Sequence, residues 1–300
     1  MNMIMSGLPG KVATAVTEVL VDEKYDVLKA GLTGPGMDRY VNIAGKDIEL
    51  LPPEEHERLL ENMRASITVD FTQPAVVNEM VEKYCKHDIP SIIGTTGGDR
   101  DKLVETVENS QTSAVIAPNM AIHIVAFQKG MNELSQVYAG KFRSSRLKIE
   151  ESHQNYKVDT SGTAKAMVKY FNQMGIDYDV DDILKIRDTK EQLALGVSEK
   201  HLDGHGWHFY TVTGGPIDKL EDMFTELLNQ PVFSNFIETD NGKKSRDGNI
   251  IFESYKDGDE LTLAHKINGR RPYAEGVKHA YAFLQDNIVP GKAYTMLDVL

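Results

Sequence analysis

Across the first 120 residues, short apolar runs alternate with segments of helical periodicity, and this alternation restricts the fold more than any single motif. Residues 3–5 form an apolar run, glycines follow, and Val12, Ala13, Ala15, Val16, Val19 and Leu20 then recur on one helical face. Residues 25–32 read as a second strand, and residues 54–64 as a charged helix with Leu59 and Leu60 on one side. A strand over 67–71 precedes a helix opened by Pro74, tolerated there because the first helical amide needs no partner. That helix turns Val76, Val77, Met80, Val81 and Tyr84 inward; a strand at 89–93, a helix at 99–109 and a strand at 114–117 complete the series. Strands alternating with helices of this length predict a parallel sheet covered on both faces.

The pattern changes near residue 120, where residues 121–137 read as one long helix. Strand-like runs follow at 147–151, 207–213, 232–237, 249–255 and 260–267, most of them with period-two alternation. They predict a second domain on a more open, partly antiparallel sheet, with residues 214–231 and 239–248 as connections rich in Gly, Pro, Asn and Asp. The last helix, over 273–286, is expected to return to the first domain. The domains are then 1–122 with 270–300, and 123–269, and two crossings would permit a hinge beside Arg270. A length of 300 residues suits two domains.

Charge narrows the partners. Thirty-three Lys and Arg against 45 Asp and Glu leave −12, with no basic tail or Arg-rich block. Nucleic acid and anionic membrane surfaces, which need clustered cations, are not expected as partners. No run approaches the roughly 18 apolar residues of a membrane span. The apolar start Met1-Asn2-Met3-Ile4-Met5 lacks the cationic opening of a signal peptide. A lone cysteine, Cys85, allows no internal disulfide and no cysteine metal cluster. A cytoplasmic location is expected (organelle stroma for a plant chain, no transit peptide being evident).

Three loops fall at successive strand ends, where an open parallel sheet binds ligands. Gly7-Leu8-Pro9-Gly10-Lys11-Val12-Ala13 joins the first strand to the first helix. A dinucleotide pyrophosphate wants such a side-chain-free turn at a helix N-terminus, although any tight turn also uses glycine. The second strand ends without the acid that would hold a ribose 2′-hydroxyl, since residues 31–35 contain no Asp or Glu and Asp38-Arg39 come later. NADPH is therefore expected to serve at least comparably with NADH. Gly94-Thr95-Thr96-Gly97-Gly98 and Ala117-Pro118-Asn119-Met120 follow the next apolar strands.

The segment from Glu150 to Ala166 carries the most chemistry. Ser161-Gly162-Thr163 precedes a helical run and offers amides and a hydroxyl to an anion, with His153 and Lys157 just upstream. Lys141, Arg143, Arg146, Lys148, Lys157, Lys165 and Lys169 outnumber nearby acids, a basic patch suited to a small polyanion. A capped helix with solvated lysines remains the plainer alternative. His201, His205 and His208 read as strand or turn histidines, so no metal is expected; His56, His87 and His279 read as surface helix residues.

With Val69-Asp70-Phe71-Thr72, Gly94-Thr95-Thr96-Gly97, Ala117-Pro118-Asn119, Glu151-Ser152-His153-Gln154, Lys157-Val158-Asp159, Ser161-Gly162-Thr163-Ala164, Gly204-His205 and residues 269–276, the chain resembles the 4-hydroxy-tetrahydrodipicolinate reductase (dihydrodipicolinate reductase) family of lysine and diaminopimelate biosynthesis. Ser-His-Gln in place of paired histidines, the missing proline between Asp159 and Ser161, and a longer stretch between Asp188 and Asn249 resemble its plant-type branch. Ala13 replaces the usual third glycine and Val12 a usual methionine.

The resemblance implies an α/β chain: a Rossmann-like dinucleotide domain plus an α+β substrate and oligomerisation domain with a mixed open sheet. It implies that His153 and Lys157 are the acid/base pair, that Gln154 replaces a substrate-contacting histidine, and that Gly162 and Thr163, with Ser161 before them, hold a substrate carboxylate. The loops at Gly7, Leu8, Pro9, Gly10, Lys11 and Val12, at Gly94, Thr95, Thr96 and Gly97, and at Ala117, Pro118, Asn119 and Met120 would hold NADPH or NADH, with Phe71 close by. The implied ligand is a small dicarboxylate and the implied assembly a homo-oligomer, dimer or tetramer. The rivals are another Rossmann-type enzyme, such as a homoserine-type dehydrogenase, and a dinucleotide-sensing protein without turnover.

Overall fold

The computed structural model describes residues 1–63, 65–228, 236–239, 242–245, 250–255 and 260–300. Its contacts divide the chain into two units, Met1–Ile122 with Arg270–Leu300, and His123–Gly269. Among the described residues, no helix is long and apolar enough to cross a membrane.

The first unit opens with β1 (Asn2–Ser6), α1 (Lys11–Asp22) and β2 (Ala30–Leu32), then the hairpin β3 (Tyr40–Ile43) and β4 (Lys46–Leu51). A short α2 (His56–Leu60) leads to β5 (Ser66–Asp70), α3 (Val77–Lys86), β6 (Ser91–Ile93), α4 (Arg100–Glu108) and β7 (Ser113–Ile116). The second strand is shorter than its pattern suggests, because residues 25–29 meet β1 through a single bridge, Met3 to Val27. The β3–β4 hairpin was not expected. Its turn puts both Ala44 and Gly45 at positive φ, the conformation a tight two-residue hairpin demands. The charged helix expected over 54–64 shrinks to a 3₁₀ turn and five α residues.

The second unit begins with α5 (Ile122–Val137), followed by β8 (Arg146–His153), α6 (Gly162–Met174), β9 (Leu184–Ile186), α7 (Thr189–Ala194) and β10 (His205–Thr213). Then come α8 (Ile217–Leu228), β11 (Phe236–Thr239), β12 (Gly242–Ser245), β13 (Ile250–Tyr255) and β14 (Glu260–Asn268). The sheet runs β11-β12-β13-β14-β10-β8-β9, antiparallel except where β8 meets β9. Phe127, Phe171, Tyr210, Phe224 and Leu263 meet in its buried core.

Two expected connections are corrected. Residues 217–228 are helix α8, which buries Leu220, Met223, Phe224 and Leu227 at helical spacing behind a Gly214-Gly215 turn that masked its start. Residues 242–245 are β12. Of the strand expected over 232–237, residues 232–235 lie outside the described residues.

The chain then re-enters the first unit with α9 (Arg271–Asp286), β15 (Lys292–Tyr294) and α10 (Met296–Val299). The completed sheet runs β15-β7-β6-β5-β1-β2-β4-β3, parallel throughout except for β3. Strand order reverses at β1 and β5, so the crevice above their carboxyl ends is where an open α/β sheet takes ligands. The Asp70 carboxylate, fully buried at the end of β5, binds the loops there together. It accepts from Thr72 N at 2.9 Å, from the Thr72 and Thr95 hydroxyls at 2.7 Å each, and from the Tyr84 hydroxyl at 2.7 Å.

Helix α9 packs along α1, with Tyr281 edge-on to Tyr25 at 5.9 Å and Lys278 bonded to Glu23 at 2.7 Å. The approach is closest at Gly276, where an added Cβ would lie 1.9 Å from the Met120 carbonyl oxygen. Backbone cannot yield as a flexible side chain can. Gly276→Ala is therefore expected to destabilise the first unit by roughly 1–3 kcal/mol, the usual cost of overpacking. Urea unfolding measures it, and an unchanged midpoint would contradict this packing.

Candidate active site

In the first unit, a cavity of about 730 Å³ opens beside the turn after β1. Gly7, Leu8, Pro9, Gly10, Lys11, Val12 and Phe71 all line it, together with Thr33, Gly34 and Pro35 after β2. Gly7, at φ +95°, is required sterically, since a Cβ there would stand 2.4 Å from the Phe71 carbonyl oxygen. A Cβ on Gly10 would stand 2.7 Å from Gly7 O. The backbone thus forms a bare cradle at the N-terminus of the 12-residue α1, whose first turn carries no acid. That cradle fits a pyrophosphate.

Gly94, Thr95, Thr96, Gly97, Ala117, Pro118, Asn119 and Met120 are not among the residues lining this cavity. They join it indirectly. The Phe71 ring lies against Gly94, where a Cβ would meet it at 2.2 Å; Thr95 is held by Asp70; and the Thr96 hydroxyl donates to Pro118 O at 3.4 Å. Asn119 Oδ1 accepts from Ala121 N at 2.9 Å, fixing the loop after β7.

His56, expected on the surface, is buried in the cavity wall. Its Nε2 stands 3.1 Å from Thr33 O and 3.0 Å from Leu51 O, clamping the loop after β2. Burial first, then the nearby Lys83 ammonium, pushes its pKa down. Lys83 lines the same cavity and pairs with Glu79 at 2.8 Å. His87 is half-buried and paired with Glu57 at 2.7 Å.

In the second unit, period-two geometry sends Ile149 and Glu151 of β8 inward and Lys148 and Glu150 outward. Glu151 has no solvent exposure. The Arg187 guanidinium donates to its Oε1, and Ser161 N donates to its Oε2 at 3.0 Å. Burial alone would raise this carboxyl's pKa; bonds and charge from His208, Arg187 and the Ser161 amide hold it well below the usual range. Arg187 also reaches Glu151 O at 3.0 Å and Lys157 O at 2.8 Å, fastening the loop between β8 and α6.

His153 ends β8, and Ser161 caps α6 through Ala164 N at 3.1 Å. Both converge on one atom of β10. His208 Nε2 stands 2.7 Å from Ser161 Oγ, 3.4 Å from His153 Nε2 and 3.7 Å from Glu151 Oε2. Burial, followed by the neighbouring His208, lowers the His153 pKa to about 3. Burial also pushes His208 down, so both rings are neutral near pH 7.

Gly162 and Thr163 form the open first turn of α6, where no acidic residue opposes an anion. Gln154 Nε2 donates to His205 O at 3.2 Å, and Lys157 Nζ bonds Asp159 at 2.8 Å. Two members of the basic patch are engaged elsewhere: Lys148 pairs with Glu150 on the other sheet face, and Lys141 lies over the Tyr138 ring.

Sequence reasoning gives Glu151, although it heads a quoted motif, no role of its own, leaves out Arg187 and Gln192, whose Nε2 donates to His153 O at 2.6 Å, and reads His208 as an ordinary strand histidine. The alternation of β10 carried a signal, since His208 shares a face with the core residues Tyr210 and Val212. His205, by contrast, is structural: Nε2 meets Ser152 Oγ at 2.8 Å and Nδ1 faces Leu202 O at 3.1 Å.

Glu151, His153 and His208 bring one possible metal-ligand atom each within 4.8 Å of one another, the grouping of that kind among the described residues. Both Glu151 oxygens are already bonded, and the Arg187 cation opposes another positive charge.

Family models match both halves of the chain. The model described as "Dihydrodipicolinate reductase, N-terminus" matches residues 1–120, and "Dihydrodipicolinate reductase, C-terminus" matches residues 123–300. The chain is 33% identical over 308 residues to "4-hydroxy-tetrahydrodipicolinate reductase 1, chloroplastic" of Arabidopsis thaliana, covering all of this chain and 77% of that protein. It is 23% identical over 316 residues to "4-hydroxy-tetrahydrodipicolinate reductase" of Methanococcus aeolicus, covering all of this chain and 98% of the other. A solved structure, "Dipicolinate bound Dihydrodipicolinate reductase from Paenisporosarcina sp. TG-14", shares the fold with TM-score 0.59 at 16% identity, covering 100% of this chain and 99% of that one. With both halves matched and a third of its residues identical to a plant member along its whole length, the chain belongs to the dihydrodipicolinate reductase family.

Proposed function

We propose that this chain catalyses the NAD(P)H-dependent reduction of 4-hydroxy-tetrahydrodipicolinate to tetrahydrodipicolinate, in lysine and diaminopimelate biosynthesis. One observation carries the reading within the family: His153, a proton carrier, is held beside the capped, anion-ready N-terminus of α6. Dipicolinate, the ligand named for the Paenisporosarcina protein, is a cyclic dicarboxylate that such a turn suits. The dehydrogenase and sensor alternatives gain no support from the family assignment.

Residues 1–122 and 270–300 serve as the dinucleotide domain, and residues 123–269 as the substrate and oligomer domain of a dimer or tetramer. The compartment is the cytoplasm or, for a plant chain, an organelle stroma. When bound, the nicotinamide supplies a hydride. The Gly7–Gly10 cradle would hold the pyrophosphate, and Phe71, pressed on Gly94, lines the same cavity. The Gly162 and Thr163 amides hold a substrate carboxylate, while Gln154 borders it. Lys157 balances the substrate's charge, which its bond to Asp159 must relax to allow.

The His153 imidazole delivers the proton. It is neutral in the free protein because burial opposes its charge. A bound dianion favours the imidazolium, so substrate itself loads the acid.

The test follows nicotinamide absorbance with freshly generated dihydrodipicolinate-type substrate; no turnover would sink the assignment. His153→Ala and Lys157→Ala are each expected to lower turnover by roughly 10²–10⁴-fold, with cofactor affinity hardly changed. Wild-type rates in both would remove them from the mechanism.

NADPH is expected to be used at least comparably with NADH. No acid ends β2, and Lys83 sits in the cavity close enough to depress the histidine that clamps Thr33. A preference for NADH beyond about a hundredfold, some 2.7 kcal/mol, contradicts this. Lys83→Met is expected to weaken NADPH roughly 10–150-fold while sparing NADH, since a partly desolvated phosphate contact is worth roughly 1.5–3 kcal/mol; equal losses would place Lys83 outside phosphate recognition.

A further inference from the structure

We infer that His208 is a positioning residue for the reaction, tying the proton carrier His153 to Ser161, the cap of the anion-binding helix. The inference rests on the reading of His153 as the acid, and it adds a residue from a separate strand.

The register of the sheet creates the arrangement. Antiparallel pairing of β10 with β8 sets Gly206 opposite His153 and His208 opposite Glu151. Gly206 leaves room for the imidazole, because a Cβ there would stand 2.9 Å from His153 Cε1. Two residues on, His208 presents Nε2 to both Ser161 Oγ and His153 Nε2. Its other nitrogen, Nδ1, is buried without a hydrogen-bond partner. Burying an N–H unpaired costs more than burying a lone pair, so the proton belongs on Nε2.

The Nε2–H then donates to the Ser161 hydroxyl and to the His153 lone pair. Ser161 Oγ already accepts from Ala164 N, which leaves the serine's own hydrogen free to donate. His265, ring against ring at 4.4 Å, and Glu151, locked by Arg187, hold His208 in place. A single side chain thereby fixes the angle of the acid and the position of the helix that holds the substrate.

A donor at His208 opposes a proton on His153. The charged and titratable groups facing His153 are Glu151 on β8, Lys157 and Arg187 in the adjoining loops, His208 on β10 and His265 on β14. The main variants change only His208. His208→Phe keeps the ring's bulk without the donor, and His208→Gln restores an N–H close to the Nε2 position. With selectively ¹⁵N-labelled histidine, the phenylalanine variant should move the His153 titration upward and lose the accepting signature at Nε2. Its kcat should fall roughly 10–100-fold, the cost of an acid misplaced by about an ångström, with the cofactor's KM unmoved and the acid limb of the kcat profile shifted. The glutamine variant should recover most of both. Gly206→Ala, which crowds the ring directly, should lower kcat in the same way if His208→Phe does not fold.

A His153 titration unchanged in His208→Phe overturns the inference whatever the rates show. So do equal losses in the phenylalanine and glutamine variants. A titration that moves as expected, in a wild-type protein that reduces no dihydrodipicolinate-type substrate, overturns the reading of the reaction and leaves only the hydrogen bond standing.

Discussion

Burying a carboxylate costs several kcal/mol unless its oxygens are bonded, and Glu151 is buried completely. The cost is offset by Arg187 on one oxygen and the Ser161 amide on the other. Most of the second unit's chemistry follows from those two bonds. The first ties β8 to the segment after β9; the second fixes where α6 begins, and therefore where its free amides point. His208, facing both the carboxylate and the Ser161 hydroxyl, inherits its orientation from them. Removing the carboxylate would strand the guanidinium and release the helix cap together.

The first unit solves a similar problem with Asp70. Its carboxylate is as deeply buried, but its partners are hydroxyls and an amide, with no cation among the bonds. It joins the loop after β5 to the loop after β6, so that Phe71 and Gly94 stay in contact at the switch in strand order. In each unit a buried acid at the end of a strand holds loops that would otherwise have to be ordered by ligand. Pre-ordering of that kind lowers the entropy lost on binding.

Local pattern made much of this legible. Alternating strands and helices, with glycine turns at the strand ends, announced the parallel sheet, and His153, Ser161, Gly162 and Thr163 stood out as one segment. What stayed hidden depends on register. Glu151 and His208 are 57 positions apart in the chain and meet only because β8 and β10 pair antiparallel. Arg187 follows a three-residue strand too short to notice. His56 looked solvated because its helix is charged, yet it turns inward to two carbonyls. Helix α8 was disguised by the glycines and proline that precede it, although Leu220, Met223, Phe224 and Leu227 already had the spacing of a buried face.

The histidine cluster also sets the conditions under which the second unit can work. His153, His205, His208 and His265 all have pKa values lowered by burial, so the folded unit leaves these rings uncharged. The unfolded chain takes up their protons as pH drops below about 6.5. Stability from keeping the rings neutral is therefore complete above that pH and is lost on acidification, by up to roughly 1.4 kcal/mol per unit for each ring. Glu151 acts in the same sense, because a depressed carboxyl contributes stability above its unfolded value near pH 4.5 and loses it as pH falls. Neither sign can be reversed by rearranging the cluster's own members. On the proposed reaction, a further negative charge from outside would favour a positive charge on His153 beyond what Glu151 already does, and a substrate dianion at Gly162 and Thr163 would bring one. On that same reaction, the burial that keeps the resting imidazole neutral would tie its protonation to the arrival of substrate.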